Sequence, residues 1–258
     1  MLMVLSPAKK LDYDSPVRTT QHTAPVFPAD TRELVSVMQT LSAGDLAGLM
    51  GLSDALASLN AERYAAWVDA PDVSHARQAA LAFNGDVYEG LRAAELSDAR
   101  LTWAQGHLAI LSGLYGVLRP LDLIQPHRLE MGTRLKTARG HSLYEFWGAR
   151  IAQELNRRLD ALPGERVLLN LASQEYFKSV DRKVLQARVI ECVFQDEKNG
   201  VWKVISFHAK RARGLMARYV IDHGTDRVAG LRKFAADGYA YADEASTADR
   251  LVFRRAAG

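Results

Sequence analysis

Positive charge is concentrated in one stretch of the chain, residues 201–220, VWKVISFHAKRARGLMARYV. This stretch contains five Lys or Arg residues and no Asp or Glu. Its helical periodicity places Lys210 and Arg213 on one face, with Arg211 beside them. Cationic side chains at this spacing can bind the phosphates of a nucleic acid, because each contact releases condensed counterions. The pattern therefore indicates either a solvated helix face or a phosphate-binding stripe formed by Lys210, Arg211 and Arg213.

A second candidate for phosphate binding is the glycine-containing turn SGLYG, residues 112–116, which follows a segment of helical pattern. Glycine lacks a Cβ, so such a turn lets backbone N–H groups approach a phosphate closely. We predict a helix-hairpin-helix element over about 97–125, in which Gly113 and Gly116 contact the DNA backbone without reading bases. Pro120 interrupts the second helix, however, and the alternative is that Gly113 is a helix C-cap and Gly116 a turn residue.

Enzymatic chemistry would depend on polar residues in four other segments, SPAKKLD, FNGDVYEGL, HRLEMG and NLASQEYFKS. The carboxyl ends of parallel strands meet at one edge of an α/β sheet, so these segments are candidates for a common cleft. The candidate residues are Lys9, Asp86, Glu130, Asn170, Ser173, Glu175 and Lys178. For each of them the alternative is a structural role, such as a cap or a buried salt bridge. The histidines show no metal-ligand spacing, and there is no P-loop, GxGxxG or GxSxG motif, so the sequence predicts no metal site and no cofactor.

The elements that position these residues alternate between strands and helices. We predict buried strands at 1–6, 166–173 and 251–255, and a β-hairpin at 188–207 around Asn199-Gly200. Helical periodicity and capping residues predict helices at 31–41, 53–67, 74–83, 97–111, 142–162, 208–224 and 225–234. The predicted fold class is mixed α/β: a single domain, 1–258, with a mixed β-sheet, surrounding helices and a helical insertion at about 31–111.

Composition limits the classes of protein to which the chain can belong. Hydrophobic residues make up 48% and charged residues 24% of the 258 residues, which is typical of a globular protein and argues against disorder. No apolar segment approaches ~18 residues and no signal-peptide pattern is present, so we expect no membrane partner. The single cysteine, Cys192, suits a reducing cytoplasm. The net charge of +3 is only mildly basic, so the distribution of charge matters more than its sum.

The polar segments and their surroundings closely resemble the YaaA family of bacterial peroxide-stress proteins. The resemblance runs almost end to end, through LSPAKKLD, FNGDVYEGL, LSGLYGVLRPLDLIQPHRLEMGTRL, LYEFWG, NLASQEYFKSV, FQDEKNG and ISFHAKRARGLMARY. It implies a distinctive α/β fold with a helix-hairpin-helix element and a positively charged cleft. It also implies a cytoplasmic protein that binds DNA, limits the damage done by hydrogen peroxide and keeps unincorporated iron low.

The resemblance further implies which residues surround that cleft. They are Lys9, Arg119, Arg128, Lys178, Lys210, Arg211 and Arg213. The chain departs from the family's usual residues at three positions, with Lys10 in place of threonine, Asn84 in place of lysine and His127 in place of tyrosine. The first adds a charge, the second removes one, and the third puts in doubt any role that needs a phenol.

Two functions from different classes follow from these patterns. The first is a DNA-binding protein of the peroxide response that grips duplex or distorted DNA by its backbone, with little sequence preference. The second is an enzyme, a lyase, glycosidase or hydrolase, that acts on a nucleobase, nucleotide or damaged DNA in the same cleft. Lys9 would be its nucleophile or phosphate anchor, and Glu130 or Glu175 its acid-base. A wide groove favours binding, and a deep pocket with carboxylates at its floor favours catalysis.

Direct iron sequestration is a third function that we do not expect. Ferritin-like sites need Glu-x-x-His pairs on facing helices, and the sequence has none. Lowered iron is therefore predicted to be an indirect effect. The sequence leaves the oligomeric state open.

Overall fold

A mixed β-sheet forms the centre of the structure, a computed structural model that describes residues 1–256. The strands are β1 (Leu2–Leu5), β2 (Lys10–Leu11), β3 (Arg77–Gln78), β4 (Phe83–Asn84), β5 (Leu108–Ser112), β6 (Gly116–Leu118), β7 (Leu123–Ile124), β8 (Val167–Leu171), β9 (Arg188–Lys198), β10 (Val201–Lys203), β11 (Ala240–Tyr241) and β12 (Arg250–Arg255). The order across the main sheet is β11-β12-β9-β8-β1-β5-β6, and β10 pairs with β9. The five strands from β12 to β5 are parallel to one another, and β6, β10 and β11 are antiparallel to their neighbours.

Helices pack around this sheet and connect its strands. They are α1 (Pro28–Gln39), α2 (Ala43–Met50), α3 (Asp54–Ala65), α4 (Ala79–Ala82), α5 (Asp86–Leu91), α6 (Asp98–His107), α7 (Leu143–Trp147), α8 (Arg150–Asp160), α9 (Gln174–Phe177), α10 (Ser206–His223) and α11 (Val228–Leu231). Two 3₁₀ turns lie at Ala93–Glu95 and Asp243–Ala245. No helix within residues 1–256 is long and apolar enough to cross a membrane.

The central strand β1 shows why the sheet is the core. All four of its residues are fully buried, so both of its faces are covered, as in α/β proteins with helices on both sides of a parallel sheet. One hydrophobic cluster of buried residues extends from Met1 to Phe253. The carboxyl ends of β1, β5 and β8 lie side by side at one edge of this core, which is where open α/β sheets place ligands.

Several sequence predictions are confirmed. Strands occur where predicted at β1, β8 and β12, and α10 coincides with the predicted basic helix. The hairpin at Asn199-Gly200 joins β9 to β10, and both turn residues have positive φ, 55° and 72°, as a type I′ turn requires. The predicted mixed α/β class is therefore correct.

Two predicted helices are wrong because other interactions override their periodicity. Residues 74–83 form the short strand β3, the single turn α4 and the start of β4 instead of one helix, since Arg77–Gln78 pairs with β7 and Phe83–Asn84 with β2. The predicted helix 142–162 is divided into α7 and α8 at Gly148, whose φ of 48° and ψ of −124° cannot continue a helix. In addition, α11 covers only four of the ten residues predicted as helical at 225–234.

The structure does not show the predicted helix-hairpin-helix element at about 97–125. The helix α6 is present, but it ends at His107, and residues 108–112 continue as the central strand β5. The turn at 113–115 then joins β5 to the antiparallel strand β6, with Ser112 paired with Gly116. The predicted helical insertion at about 31–111 therefore includes a core strand of the sheet as well as helices.

Candidate functional site

Three neighbouring parallel strands end at or beside a serine. Ser6 directly follows β1, Ser112 is the last residue of β5, and Ser173 lies two residues after β8. Ser6 Oγ accepts a hydrogen bond from the backbone N–H of Ser173 at 2.8 Å and donates to Ser173 Oγ at 3.2 Å. These serines line a cavity of about 420 Å³, which we call the strand-end cavity.

Charged side chains enter the strand-end cavity from separate parts of the chain. The loop after β1 supplies Lys9, β2 supplies Lys10, the start of α5 supplies Asp86, and the segment after β7 supplies Arg128 and Glu130. Glu175 comes from α9, and Lys210 and Arg213 come from α10. The pairing of Lys10 with Asn84 between β2 and β4 fixes the first loop next to α5.

Carboxylates in the strand-end cavity are partly committed to other groups. Glu130 forms ion pairs with the Lys9 ammonium and with the Arg128 guanidinium, each at 3.0 Å. Glu175 Oε1 accepts a hydrogen bond from the backbone N–H of Gly132 at 3.0 Å. No group of three or more His, Cys, Asp or Glu side chains that could hold a metal ion occurs among residues 1–256. These carboxylates thus act here as partners of cations and of the backbone.

Helices α5 and α10, which both contribute residues to the cavity lining, cross each other at very short range. A Cβ atom on Gly214 would lie 1.8 Å from the carbonyl oxygen of Val87, and one on Gly90 would lie 2.2 Å from the carbonyl oxygen of Arg211. Only glycine permits this approach of two helix backbones. The crossing sets the distance between Asp86 on α5 and the cations of α10.

Arg213 has an unusual environment for a guanidinium. It is partly buried, and it makes no hydrogen bond or ion pair with another of the described residues. Burial lowers the pKa of Arg213, and its electrostatic neighbour is the thiol of Cys192, whose own pKa is raised by burial. Because a buried cation without a counterion is costly, Arg213 is suited to bind an anion.

A second cavity, of about 1050 Å³, adjoins the first, and we call it the α9 cavity. Arg213 lines both cavities. Helix α9 forms the wall between them: Glu175 and Tyr176 face the strand-end cavity, whereas Gln174 and Phe177 face the α9 cavity. The basic residues of the α9 cavity besides Arg213 are Lys178, Arg182, Lys183 and Arg250.

The two cavities together account for all of the molecule's excess positive charge, and we call them the basic region. Nine Lys and Arg residues and five Asp and Glu residues line it, which gives a formal charge of +4. The whole chain has a formal charge of +3, so the remainder is close to neutral. Such a concentration of charge attracts anions to this part of the surface.

Most of the sequence matches a known family. The family model described as "Peroxide stress protein YaaA" matches residues 1–245. This chain belongs to the YaaA family. The finding agrees with the resemblance seen in the sequence blocks, and the matched range includes every residue that lines the two cavities except Arg250.

Curated relatives of this family cover the full length of the chain. A UPF0246 protein of Bordetella petrii is 64% identical over 259 residues, which is 100% of both chains. A UPF0246 protein of Verminephrobacter eiseniae is 60% identical over 256 residues, covering 99% of this chain and 98% of the relative. A UPF0246 protein of Delftia acidovorans is 60% identical over 257 residues, with the same coverage.

Five of the seven cleft residues implied by the family resemblance lie in the basic region. Lys9, Arg128, Lys210 and Arg213 line the strand-end cavity, and Lys178 lines the α9 cavity, where its Nζ lies 4.8 Å from the centre of the Tyr144 ring. The positions of departure from the family pattern, Lys10, Asn84 and His127, also line the strand-end cavity. Lys10 and Asn84 are cross-strand partners, so these two positions lie side by side.

The other two arginines of that set serve structural contacts. The Arg119 guanidinium forms an ion pair with the fully buried Asp122 at 2.8 Å and donates a hydrogen bond to the carbonyl of Ala24, which anchors the long N-terminal loop. Arg211 forms an ion pair with Asp237 at 2.6 Å. Neither residue lines the strand-end cavity or the α9 cavity.

Both glycines of the SGLYG turn are buried and serve packing. A Cβ atom on Gly113 would lie 2.3 Å from the carbonyl oxygen of Leu129, and Trp147 Nε1 donates a hydrogen bond to the Gly113 carbonyl at 2.9 Å. Gly116 has a φ of +69°, and a Cβ there would lie 2.7 Å from the Trp147 ring. The turn is therefore not exposed to a phosphate. It holds the backbone beside Arg128 and Glu130 against the core.

Sequence reasoning missed several residues of the basic region. Ser6 and Ser112 lie in the candidate segments SPAKKLD and SGLYG but were not named as site residues, although a polar residue at the end of a buried run is a detectable signal. The prediction of a helix at 97–111 followed by a turn left unrecognised that Ser112 ends a strand. Arg182, Lys183 and Arg250 were missed because their segments carry no motif, and only the fold brings them beside Lys178.

Proposed function

We propose that this protein binds DNA in the cytoplasm during the response to hydrogen peroxide and thereby limits iron-linked oxidative damage. The observation that carries the proposal is the basic region, which concentrates a formal charge of +4 around the carboxyl ends of the central strands. Contacts from lysine and arginine to phosphates do not depend on base sequence, so duplex or distorted DNA is bound with little sequence preference.

The salt dependence of binding follows from the number of free cations. Lys9 and Arg128 are held by Glu130, which leaves seven cations without a carboxylate partner among the described residues: Lys10, Lys178, Arg182, Lys183, Lys210, Arg213 and Arg250. If half to all of them meet phosphates, the logarithm of the affinity falls with the logarithm of salt with a slope of about −3 to −6. A fourfold rise in salt then weakens binding by about 60- to 4,000-fold.

Fluorescence anisotropy with a labelled duplex at several salt concentrations tests this proposal. Lys178→Gln and Lys210→Gln are each expected to reduce the salt slope by about 1 and to weaken binding equally for unrelated sequences. Arg227→Gln is the control, because it removes an equal charge outside the basic region. Arg227 follows α10 and lies next to Asp226, near the amino end of β1. This variant should bind DNA as the unaltered protein does. An affinity that does not change with salt would refute the proposal.

The carboxylates of the strand-end cavity favour a second candidate function, an enzyme that acts on a nucleobase, nucleotide or damaged DNA. Glu130 and Glu175 both line a cavity of small-molecule size. Lys9 suits the role of a phosphate anchor better than that of a nucleophile, because its side chain is 65% exposed and its ammonium is paired with Glu130, whereas amine nucleophiles are desolvated. A covalent adduct on DNA that borohydride traps, and that Lys9→Ala abolishes, would establish the enzymatic function instead.

A further inference from the structure

The strand-end cavity holds ionisable side chains of both signs that have no partner within the protein. Asp86, Lys210 and Arg213 line it, and none of them makes a hydrogen bond or ion pair with another of residues 1–256. Among the neighbouring charges, Lys9 and Arg128 are paired with Glu130, and Lys10 is a further cation at the cavity that is unpaired among the described residues. A bound ligand could supply the hydrogen-bond and ion-pair partners that these three side chains lack within the protein.

The two cations of α10 are suited to one anionic group. Lys210 and Arg213 are three residues apart, so their side chains project from the same face of the helix. Burial removes part of the hydration of the Arg213 guanidinium and, among the described residues, only the buried Cys192 thiol compensates for this electrostatically. A phosphate between the two side chains would supply the charge-assisted hydrogen bonds that the guanidinium lacks.

Asp86 requires that the ligand also carry hydrogen-bond donors. A free carboxylate would repel a ligand that presented only phosphate oxygens to the cavity. A hydroxyl or amino group would instead donate to it. The ligand therefore combines an anionic end with a donor-bearing part.

The shape and lining of the cavity limit the size of that ligand. A volume of about 420 Å³ lies within the range of small-molecule sites and is too small for a duplex. Phe83, Val87, Leu129 and Leu171 form apolar parts of its wall, which suit a sugar or a planar ring.

We infer that the strand-end cavity binds a nucleoside 5′-monophosphate, with the phosphate on Lys210 and Arg213 and a sugar hydroxyl or base amino group on Asp86. The inference rests on the proposed function only in that both use the cations of α10. A bound nucleotide accordingly competes with DNA for the basic region.

Isothermal titration calorimetry on the full chain tests the inference with four kinds of probe. These are the common nucleoside 5′-monophosphates, ribose 5-phosphate, adenosine and inorganic phosphate. At least one nucleotide is expected to bind about tenfold or more tightly than inorganic phosphate, because it adds the donors that Asp86 accepts. Nucleotide binding no tighter than that of inorganic phosphate would overturn the inference. Equal binding of ribose 5-phosphate would overturn the assignment to nucleotides in favour of sugar phosphates.

Variants test separately the phosphate-binding cations and the carboxylate that accepts from the sugar or base. Lys210→Gln and Arg213→Gln are expected to weaken nucleotide binding by about ten- to hundredfold. Asp86→Asn is expected to reduce the preference for nucleotide over inorganic phosphate while leaving inorganic phosphate bound as well or better. Lys210 is exposed, so its variant remains informative if Arg213→Gln proves unstable in a thermal melt. Unaltered nucleotide affinity in Lys210→Gln would overturn the inference.

The outcome is distinguishable from that of the DNA proposal. Salt-dependent duplex binding without nucleotide binding overturns this inference and leaves the DNA proposal standing. Nucleotide binding without duplex binding supports the inference and removes the DNA proposal. The control Arg227→Gln should bind nucleotide like the unaltered protein, and a loss equal to that of Lys210→Gln would show a general charge effect and overturn the assignment.

Discussion

The close crossing of α5 and α10 leaves no room for a side chain at Gly214. In Gly214→Ala the new Cβ would lie 1.8 Å from the Val87 carbonyl oxygen, which belongs to the backbone and cannot rotate away. To restore an ordinary contact, the two helices must separate by about 1.5 Å. Such overpacking costs about 3 kcal/mol, and the higher helix propensity of alanine returns about 1 kcal/mol. We expect a net loss of about 2 kcal/mol, or about 4–8 °C in melting temperature.

The matched control for this prediction is Gly48→Ala in α2. A Cβ at this helical position meets no atom within 4 Å, so the substitution should be neutral or stabilising. Thermal and urea unfolding of both variants measure the difference. The separation of the helices should also weaken ligand binding by Gly214→Ala, because it moves Lys210 and Arg213 away from Asp86. A Gly214→Ala protein as stable as Gly48→Ala would refute the reasoning.

Three further predictions concern single side chains of the site and core. In Glu130→Gln, Lys9 and Arg128 lose their carboxylate partner, so duplex DNA should bind about tenfold more tightly, with a steeper salt slope in anisotropy titrations. Unchanged or weaker binding would contradict DNA binding by the basic region. His127 is buried against Phe83 and Tyr115, and burial lowers its pKa to about 4. The imidazole of the unfolded chain binds a proton below about pH 6.5, whereas that of the folded protein does so only near pH 4. The free energy of unfolding should therefore fall by about 3 kcal/mol between pH 6.5 and 4. Urea unfolding of His127→Gln should show a smaller loss over this range, and an equal loss would exclude the imidazole as its cause. Cys192 is buried and burial raises the pKa of its thiol, so it should react with a thiol reagent or hydrogen peroxide only after unfolding; fast stoichiometric reaction of the native protein would disprove this.

Local signals were sufficient to predict much of the fold. The buried apolar run of β1, the Asn199-Gly200 turn and the amphipathic basic helix α10 depend on neighbouring residues alone. Residues 74–83 did not follow their helical pattern, because strand pairing with β2 and β7 outweighs the propensity of a short segment. The glycines of the SGLYG turn have a role that only tertiary packing against Trp147 and Leu129 shows.

The candidate site was predictable in its location but not in its charge pairing. Of the seven polar candidates expected in one cleft, five line the strand-end cavity, namely Lys9, Asp86, Glu130, Ser173 and Glu175, whereas Asn170 and Lys178 line the α9 cavity. Which cations are free could not be predicted. Arg119 and Arg211 have the same sequence character as Arg213, and only the three-dimensional positions of Asp122 and Asp237 distinguish them.

Lysine acetylation mapped by mass spectrometry, with and without duplex DNA, tests the role of the basic region most directly. DNA should protect Lys10, Lys178, Lys183 and Lys210, which line the two cavities, and leave Lys136, Lys198 and Lys233, which line neither, as reactive as before. Protection confined to the second group, with no change in the first, would contradict the assignment of DNA binding to the basic region.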